Sequence, residues 1–434
     1  MSEYIEKKLH VSELEVGMHV VRLDKPWLET AFLLQGFIIQ SQEDIKALTE
    51  ECNHVYIQGK LQSAEGKPIK AKSNLPKRQA VYINKVNFEQ EIEKASVSFR
   101  QARSLAKNIM NGIRIGRALD INEAKEAVSE CVNSILRNPD TLRWLTQIKQ
   151  QDEYTAEHSM NVCILSATFA RYLGMSSSEI ETIGLCGLLH DVGKAKVPEE
   201  ILNKPGKLDP DENSIMQMHT VYGKDILTAA ENKYLITVDV AHSHHERVDG
   251  TGYPRKLQSR QIPVYAKIVA LADVYDAITS CRCYDGSRTS LTALNIIYNE
   301  MGTHFDAELA REFIKCIGIY PPGSIVEMTN GEVGIVISND DIRRLKPRVL
   351  LLLNELKEPR KQRLVDLTKI DLDAESKPYV IKRELINGTY GIDIKDYFNF
   401  ITSSSLAKNS NKKDSNDIRN ATSSLTSSSE VTQN

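Results

Sequence analysis

Six of the ten histidines in this 434-residue chain fall between His158 and His245, a crowding that packing alone does not explain. Two are adjacent, His244 and His245, and they open a glycine-studded loop, Glu246-Arg247-Val248-Asp249-Gly250-Thr251-Gly252-Tyr253-Pro254. Fifty-four residues upstream stands a second polar knot, His190-Asp191-Val192-Gly193-Lys194. Neutral imidazoles and carboxylates are the ligands that divalent transition metals favour, and a bridging carboxylate lets two cations sit side by side. The chain must therefore fold so that these segments converge.

Periodicity places each segment on a helix. His158 shares a helix with the apolar stripe Val162, Leu165 and Phe169, and His190-Asp191 ends the next helix just before Gly193. His219 falls in a helix begun at Asp209, and His244-His245 end one that carries Ile236 and Val240. Asp273 interrupts the apolar run Ile268-Val269-Ala270-Leu271. A carboxylate buried there costs several kcal/mol unless it is paired or coordinated, so it needs a cation. Taken singly, His158 or His219 reads more readily as a hydrogen-bonded structural residue than as a ligand, and Asp273 could be the partner of Lys194 or Arg282. His242, beside the pair, reads as structural or as a support to the ligands rather than as a ligand itself. The joint occurrence is what points to metal.

The length suits roughly three domains, and 41% hydrophobic with 26% charged residues is a globular composition. A net charge of -3 argues against a nucleic-acid coat. No apolar run spans a bilayer and the N-terminus lacks a secretion signal, so a cytoplasmic protein is expected. The odd, scattered set of seven cysteines reads as reduced, and Cys281-Arg282-Cys283, with no second pair, is a weak candidate for a thiolate metal site.

Six regions are expected: a small α+β module over 1–60, a linker at 61–77, a helical connector over 78–150, a helical block over 151–320, a β-rich segment over 321–401 and a disordered tail from 402 to 434. In the first, strands are expected at Val16–Leu23, Phe32–Ile39 and Val55–Ile57, with a helix at Ser41–Thr49; Trp27 and Phe37 belong to its core. The connector's long helices offer apolar stripes for homodimerisation or signal transfer. Ser178 to Glu181 offers a capping box, and Asp209-Pro210-Asp211-Glu212 has the residues of another. Strands are expected at Ser324–Glu327, Val333–Ser338, Arg348–Leu353 and Arg363–Leu367, with Asn330-Gly331 as a hairpin turn. The overall class is mainly α.

The ordered segments from Tyr154 to Ser159, Gly187 to Lys194, Pro198 to Gly206, Glu212 to His219, the His-His-Glu to Gly-Tyr-Pro loop and Asp273 to Ser280 resemble the HD-GYP family, a branch of the HD superfamily of metal phosphohydrolases. The first 60 residues resemble a small domain of unknown function often found ahead of it. The 322–370 strands resemble a small barrel-like appendage of related chains. The resemblance implies that His158, His190, Asp191 and Asp273 hold one divalent metal, and that His219, His244 and His245 hold a second with Asp191 bridging. Iron or manganese is implied. Asp191 and Lys194 are the implied catalytic residues, Lys194 meeting the scissile phosphate, while Gly252, Tyr253, Asp276 and Arg282 line the nucleotide site. Tyr154 stands where some members carry an acidic ligand to a third metal, so two metals are expected.

Two cations roughly 3.5–4 Å apart activate water and clamp phosphate oxygens, so no serine or cysteine nucleophile is required. Gly250 and Gly252 leave room for backbone to approach a nucleotide, and Tyr253 offers a flat face to a base. The resemblance implies cyclic di-GMP as substrate, opened to pGpG, GMP or both. Cleavage of 3′3′-cyclic GMP-AMP, or a catalytically weak sensor working through signalling-protein contacts, are the alternatives. Asp285 places a negative charge where relatives often hold a positive one, and bears on that choice.

Overall fold

The computed structural model describes residues 6–24, 37–39, 42–58, 75–148, 154–230, 235–280, 288–340 and 343–402. Trp27, Cys281, Arg282, Cys283, Asp285 and the tail beyond 402 lie outside them, as do most of the expected linker and of the strand begun at Phe32. The chain is mainly α, with a small antiparallel sheet at each end.

The N-terminal module comprises β1 (Glu6–His10), β2 (His19–Leu23), β3 (Phe37–Ile38), α1 (Gln42–Glu51) and β4 (His54–Gln58), in sheet order β1-β4-β2-β3. Its own core gathers Val11, Leu14, Val20, Leu23, Ile39, Leu48 and Val55. β1 was not expected. It is an edge strand whose Lys7-Lys8 breaks the apolar alternation, and lysines are the usual protection of an exposed edge.

The connector folds as α2 (Phe88–Arg114), α3 (Ile121–Arg137) and α4 (Pro139–Leu145). Asn87 closes a capping box with Gln90, and Asn138 both ends α3 and caps α4 ahead of Pro139. The expected dimer stripe is already occupied within the chain. Phe88, Ile92, Phe99, Ala106 and Ile113 of α2 are buried in one continuous core with the helices that follow. Buried Glu91 accepts from Ser134 Oγ and Arg137, tying α2 to α3.

Those helices are α5 (Tyr154–Tyr172), α6 (Ser177–Leu189), a 3-10 turn at Val192–Lys196, α7 (Glu199–Leu202), α8 (Pro210–Gln217), α9 (His219–Ala229), α10 (Leu235–Ser243), α11 (Val264–Thr279), α12 (Ser290–Asn299) and α13 (Ala307–Ile317). α6 and α11 are apolar on nearly every face and are buried accordingly. Asp209 caps α8 as expected, but the box before α6 starts two residues early, at Ser176 with Glu179. His219 also departs from expectation. α8 stops at Gln217, and His219 is the first residue of the separate helix α9.

The C-terminal sheet, order β8-β7-β6-β5-β9, holds β5 (Ile325–Met328), β6 (Val333–Ser338), β7 (Arg348–Leu353), β8 (Pro359–Asp366) and β9 (Ile381–Leu385), followed by α14 (Ile394–Thr402). Among the described residues it has two edges, β8 and β9, and does not close as a barrel. Alternate residues go to opposite faces: Val333, Ile335, Ile337, Leu350 and Leu352 join the helical core, while Val336, Val349 and Leu351 join a second cluster. No described helix is long and apolar enough to cross a membrane.

Candidate metal centre

Residues from five helical elements meet at one buried point. α5 supplies His158, the end of α6 His190 and Asp191, the start of α9 His219, the end of α10 His244 and His245, and α11 Asp273. Their donor atoms form two groups, Asp191 with His219, His244 and His245, and His158 with His190 and Asp273; within each, all lie within 4.8 Å of one another. Gly193 makes the first group reachable. A Cβ there would lie 1.9 Å from the His219 carbonyl oxygen and 2.4 Å from the Gly223 amide nitrogen, so only glycine lets the 3-10 turn lie against α9.

Asp191 stands between the groups, 1% exposed. Its Oδ2 is 3.3 Å from His190 Nε2 and 3.8 Å from His158 Nε2. Its Oδ1 is 3.4 Å from His219 Nε2 and 3.7 Å from His244 Nε2. One carboxylate therefore presents one oxygen to each histidine set.

Backbone carbonyls decide which imidazole nitrogens carry hydrogen. The Nδ1–H of His190 donates to Gly187 O at 2.7 Å, that of His219 to Met216 O at 2.7 Å, and that of His244 to Ala241 O at 3.1 Å. In a neutral ring this leaves each Nε2 as a lone pair aimed inward. His219 Nε2 and His244 Nε2 then face each other 3.4 Å apart with no proton to share. His190 Nε2 and Asp191 Oδ1 are buried without a hydrogen-bond partner. Buried acceptors facing acceptors are costly, and a divalent cation is the group whose chemistry satisfies them.

The electrostatics agree. Burial pushes His219 down to about 3 and holds His245 well below the usual imidazole range, helped by the neighbouring histidines. Both rings are in the neutral, ligating form. Burial opposes ionisation of Asp191, but Lys194 and His190 outweigh it and hold the carboxyl well below its ordinary range. Asp273 is likewise held low, against burial, by its bond from His158. His158 is the exception. Burial disfavours its charge, yet bonds to Asp273 and Asp276 outweigh that and raise it to about 9. It must give up its Nε2 proton to act as a ligand.

Asp273 thus pairs with His158, at 3.0 Å, rather than with Lys194, while Arg282, its other candidate partner, lies outside the described residues. Lys194 instead pairs with Asp191 Oδ2. Asp276, expected to line the nucleotide site, is buried behind His158. Its Oδ2 accepts from His158 Nδ1 at 2.8 Å and its Oδ1 from Asn161 Nδ2 at 3.0 Å, an orienting role. Asn161 went unnoticed in the sequence, though it lies three residues after His158 and so on the same helix face.

Gly252 also serves a different end. Its Cβ position would lie 2.3 Å from Arg247 N and 2.6 Å from His245 O, so it packs the loop onto the paired histidines rather than opening space for a nucleotide. Tyr253 stacks on His245 with ring centroids 4.8 Å apart, and burial raises its hydroxyl above the usual range. Glu246, not singled out in the sequence, is buried and accepts from Arg255 N and Leu257 N at 2.7 and 2.8 Å, closing the loop on itself.

Residues 140–309 match the family model of the HD domain, and residues 6–124 match a domain of unknown function, DUF3391. The latter match runs well beyond residue 60, through α2 and into α3. A cyclic di-GMP phosphodiesterase of Pseudomonas aeruginosa is 36% identical over 368 residues, covering 83% of this chain and 89% of that protein. A 3'3'-cGAMP-specific phosphodiesterase of Vibrio cholerae is 32% identical over 237 residues, 53% of this chain and 42% of that one. A solved HDG"Y"P protein from Bdellovibrio bacteriovorus aligns with a TM-score of 0.44 at 16% identity, over 72% of this chain and 98% of its own. With an HD domain of this geometry, a DUF3391 match ahead of it and a relative alike along nearly its whole length, the chain belongs to the HD-GYP family.

Proposed function

We propose that this chain is a metal-dependent phosphodiesterase hydrolysing cyclic di-GMP to pGpG, GMP or both. The observation that carries the reading is Asp191, buried, with one oxygen facing each histidine group. In this reading two divalent ions, iron or manganese, are held. His158, His190, Asp191 and Asp273 take one; His219, His244 and His245 take the other, with Asp191 bridging. The 36%-identical Pseudomonas relative, a cyclic di-GMP phosphodiesterase, supports the substrate.

When bound, the cations supply Lewis acidity at phosphate oxygens and activated water at neutral pH. The chain's own residues prepare the rest. Asp276 and Asn161 fix the His158 ring, and three backbone carbonyls fix His190, His219 and His244. Lys194 is 22% exposed where six of the seven ligands are buried and His245 is half-buried, so its ammonium sits at the rim, placed to meet negative charge developing on a phosphate. Tyr253, braced by His245 and kept protonated, offers a hydroxyl and a ring edge to the nucleotide. Arg282, outside the described residues, remains the candidate for a further phosphate contact.

A second reading, hydrolysis of 3′3′-cyclic GMP-AMP, is favoured by the Vibrio relative and by Asp285, whose charge disfavours close phosphate contact at that position. A purely sensory role has less support, because all seven ligand side chains are present and gathered. The test is incubation of the manganese- or iron(II)-loaded chain with each dinucleotide and chromatographic resolution of the products. Turnover of cyclic di-GMP is expected; no turnover of either substrate with metal bound would refute an enzymatic role, and faster turnover of the mixed dinucleotide would establish the second reading.

A further inference from the structure

A cavity of about 420 Å³ lies away from the metal centre, between the segment 75–84, the C-terminal turns of α5, α13 and the residues after β6. Four guanidinium groups line it, those of Arg78, Arg143, Arg171 and Arg344, with three carboxylates, Asp140, Glu312 and Asp340. All three carboxylates are engaged, Asp340 accepting from Arg343 N at 2.6 Å. Asp140 holds Arg143 at 3.3 Å and accepts from Asn339 N at 2.9 Å, and Glu312 accepts from Lys315 at 2.7 Å and Tyr172 Oη at 3.2 Å. Arg171 donates to Asn84 at 2.9 Å. Arg344 lies over the Tyr172 ring, 5.2 Å from its centroid, and neither it nor Arg78 has an ion pair among the described residues.

Arg143 is held by Asp140 and by Ile317 O, and Arg171 by Asn84, which leaves the guanidinium groups of Arg78 and Arg344 lining the cavity without a carboxylate among the described residues. We propose that this cavity is a second binding site, for the phosphate group of a small molecule of about nucleotide size. Guanidinium forks match phosphate oxygens in geometry and charge, and 420 Å³ is within the usual range for small-ligand pockets.

The site is separate from catalysis but shares a helix with it. Thr168 follows His158 on α5 by ten residues, about 15 Å along the axis. The test is calorimetric titration of the full chain with inorganic pyrophosphate and, separately, GMP, before and after chelation of metal. A class of binding that survives chelation is expected, weakened about tenfold or more in Arg344→Ala and again in Arg78→Ala, with hydrolysis and metal content at parent level. Arg344→Lys, which keeps the charge and loses the fork, should weaken binding without altering the unfolding midpoint, separating loss of the site from loss of the fold. Binding of both probes that disappears with the metal, or that is unchanged in all three variants, overturns the proposal. Either result leaves the hydrolysis experiment unaffected, so the two fail independently.

Discussion

Glu384 joins the C-terminal sheet to the helix that carries Asp273. It projects from β9, retains some exposure along its stem, and buries its carboxyl, which accepts from Ser290 N at 3.3 Å, Leu291 N at 3.2 Å and Ser324 Oγ at 2.9 Å. Ser290 Oγ in turn meets Tyr275 Oη at 2.8 Å, and Tyr275 lies on α11 between Asp273 and Asp276. Burial raises the Glu384 carboxyl from its ordinary 4.5 to about 7, against the three bonds that favour its ionised form. At about 1.4 kcal/mol per pH unit this corresponds to roughly 3 kcal/mol, an upper value given the partial exposure. The native state binds this proton more tightly than the unfolded chain does. The associated stability is therefore fully present below about pH 4.5, declines through the interval to about 7, and is absent above it. Glu384→Gln keeps an acceptor for the two amides and never ionises. Relative to parent it should gain up to about 3 kcal/mol on going from pH 5 to pH 8. The difference between the two chains cancels the titration of every other group. It is measured from urea unfolding at both pH values, followed through buried Trp144 in a Trp27→Phe background. A difference that is the same at both pH values would show that Glu384 does not titrate between them and would refute the reasoning.

Three further outcomes bear on the site. Asp191→Ala should abolish both metal retention and hydrolysis, because it removes the oxygen facing each histidine group; metal analysis showing parent content, or full activity, would exclude the bridging role. Lys194→Met should lower kcat by about 100-fold or more, as loss of a charge-stabilising donor does, while metal content stays near parent; depletion of metal would mean the lysine acts through Asp191 rather than on phosphate. Gly252→Ala forces a Cβ to 2.3 Å from Arg247 N and 2.6 Å from His245 O, so the loop must shift. It should weaken retention of one metal by about tenfold or more while leaving the other in place, and unchanged stoichiometry in a metal titration would count against it.

How far the sequence could be read depended on whether a feature is local. β6 and β7 were legible to the residue because their apolar runs end in turn signals, and Asp209 announced α8 because its capping box uses adjacent residues. β9 was not legible. Lys382, Arg383 and Glu384 give it no alternation, and it is a strand only because β5, some 55 residues earlier, offers an edge to pair with. The site divides in the same way. Its donor types are a property of composition, so histidine crowding and a carboxylate inside an apolar helix were enough to single out all seven residues that the fold gathers. The orientation of those donors is a property of pairs. Asp273 and Asp276 lie three apart on one face of α11, as His158 and Asn161 do on α5, so each helix presents its two polar groups together. Which of the two carboxylates faces the metal side and which stands behind the imidazole depends on how α5 and α11 cross, across 115 residues of chain. That crossing turns Asp276 from an expected nucleotide contact into the group that aims His158. Candidate ligands of a buried metal centre can thus be named from type and period, but the division between side chains that would hold a metal and those that orient them is made by packing between elements far apart in sequence.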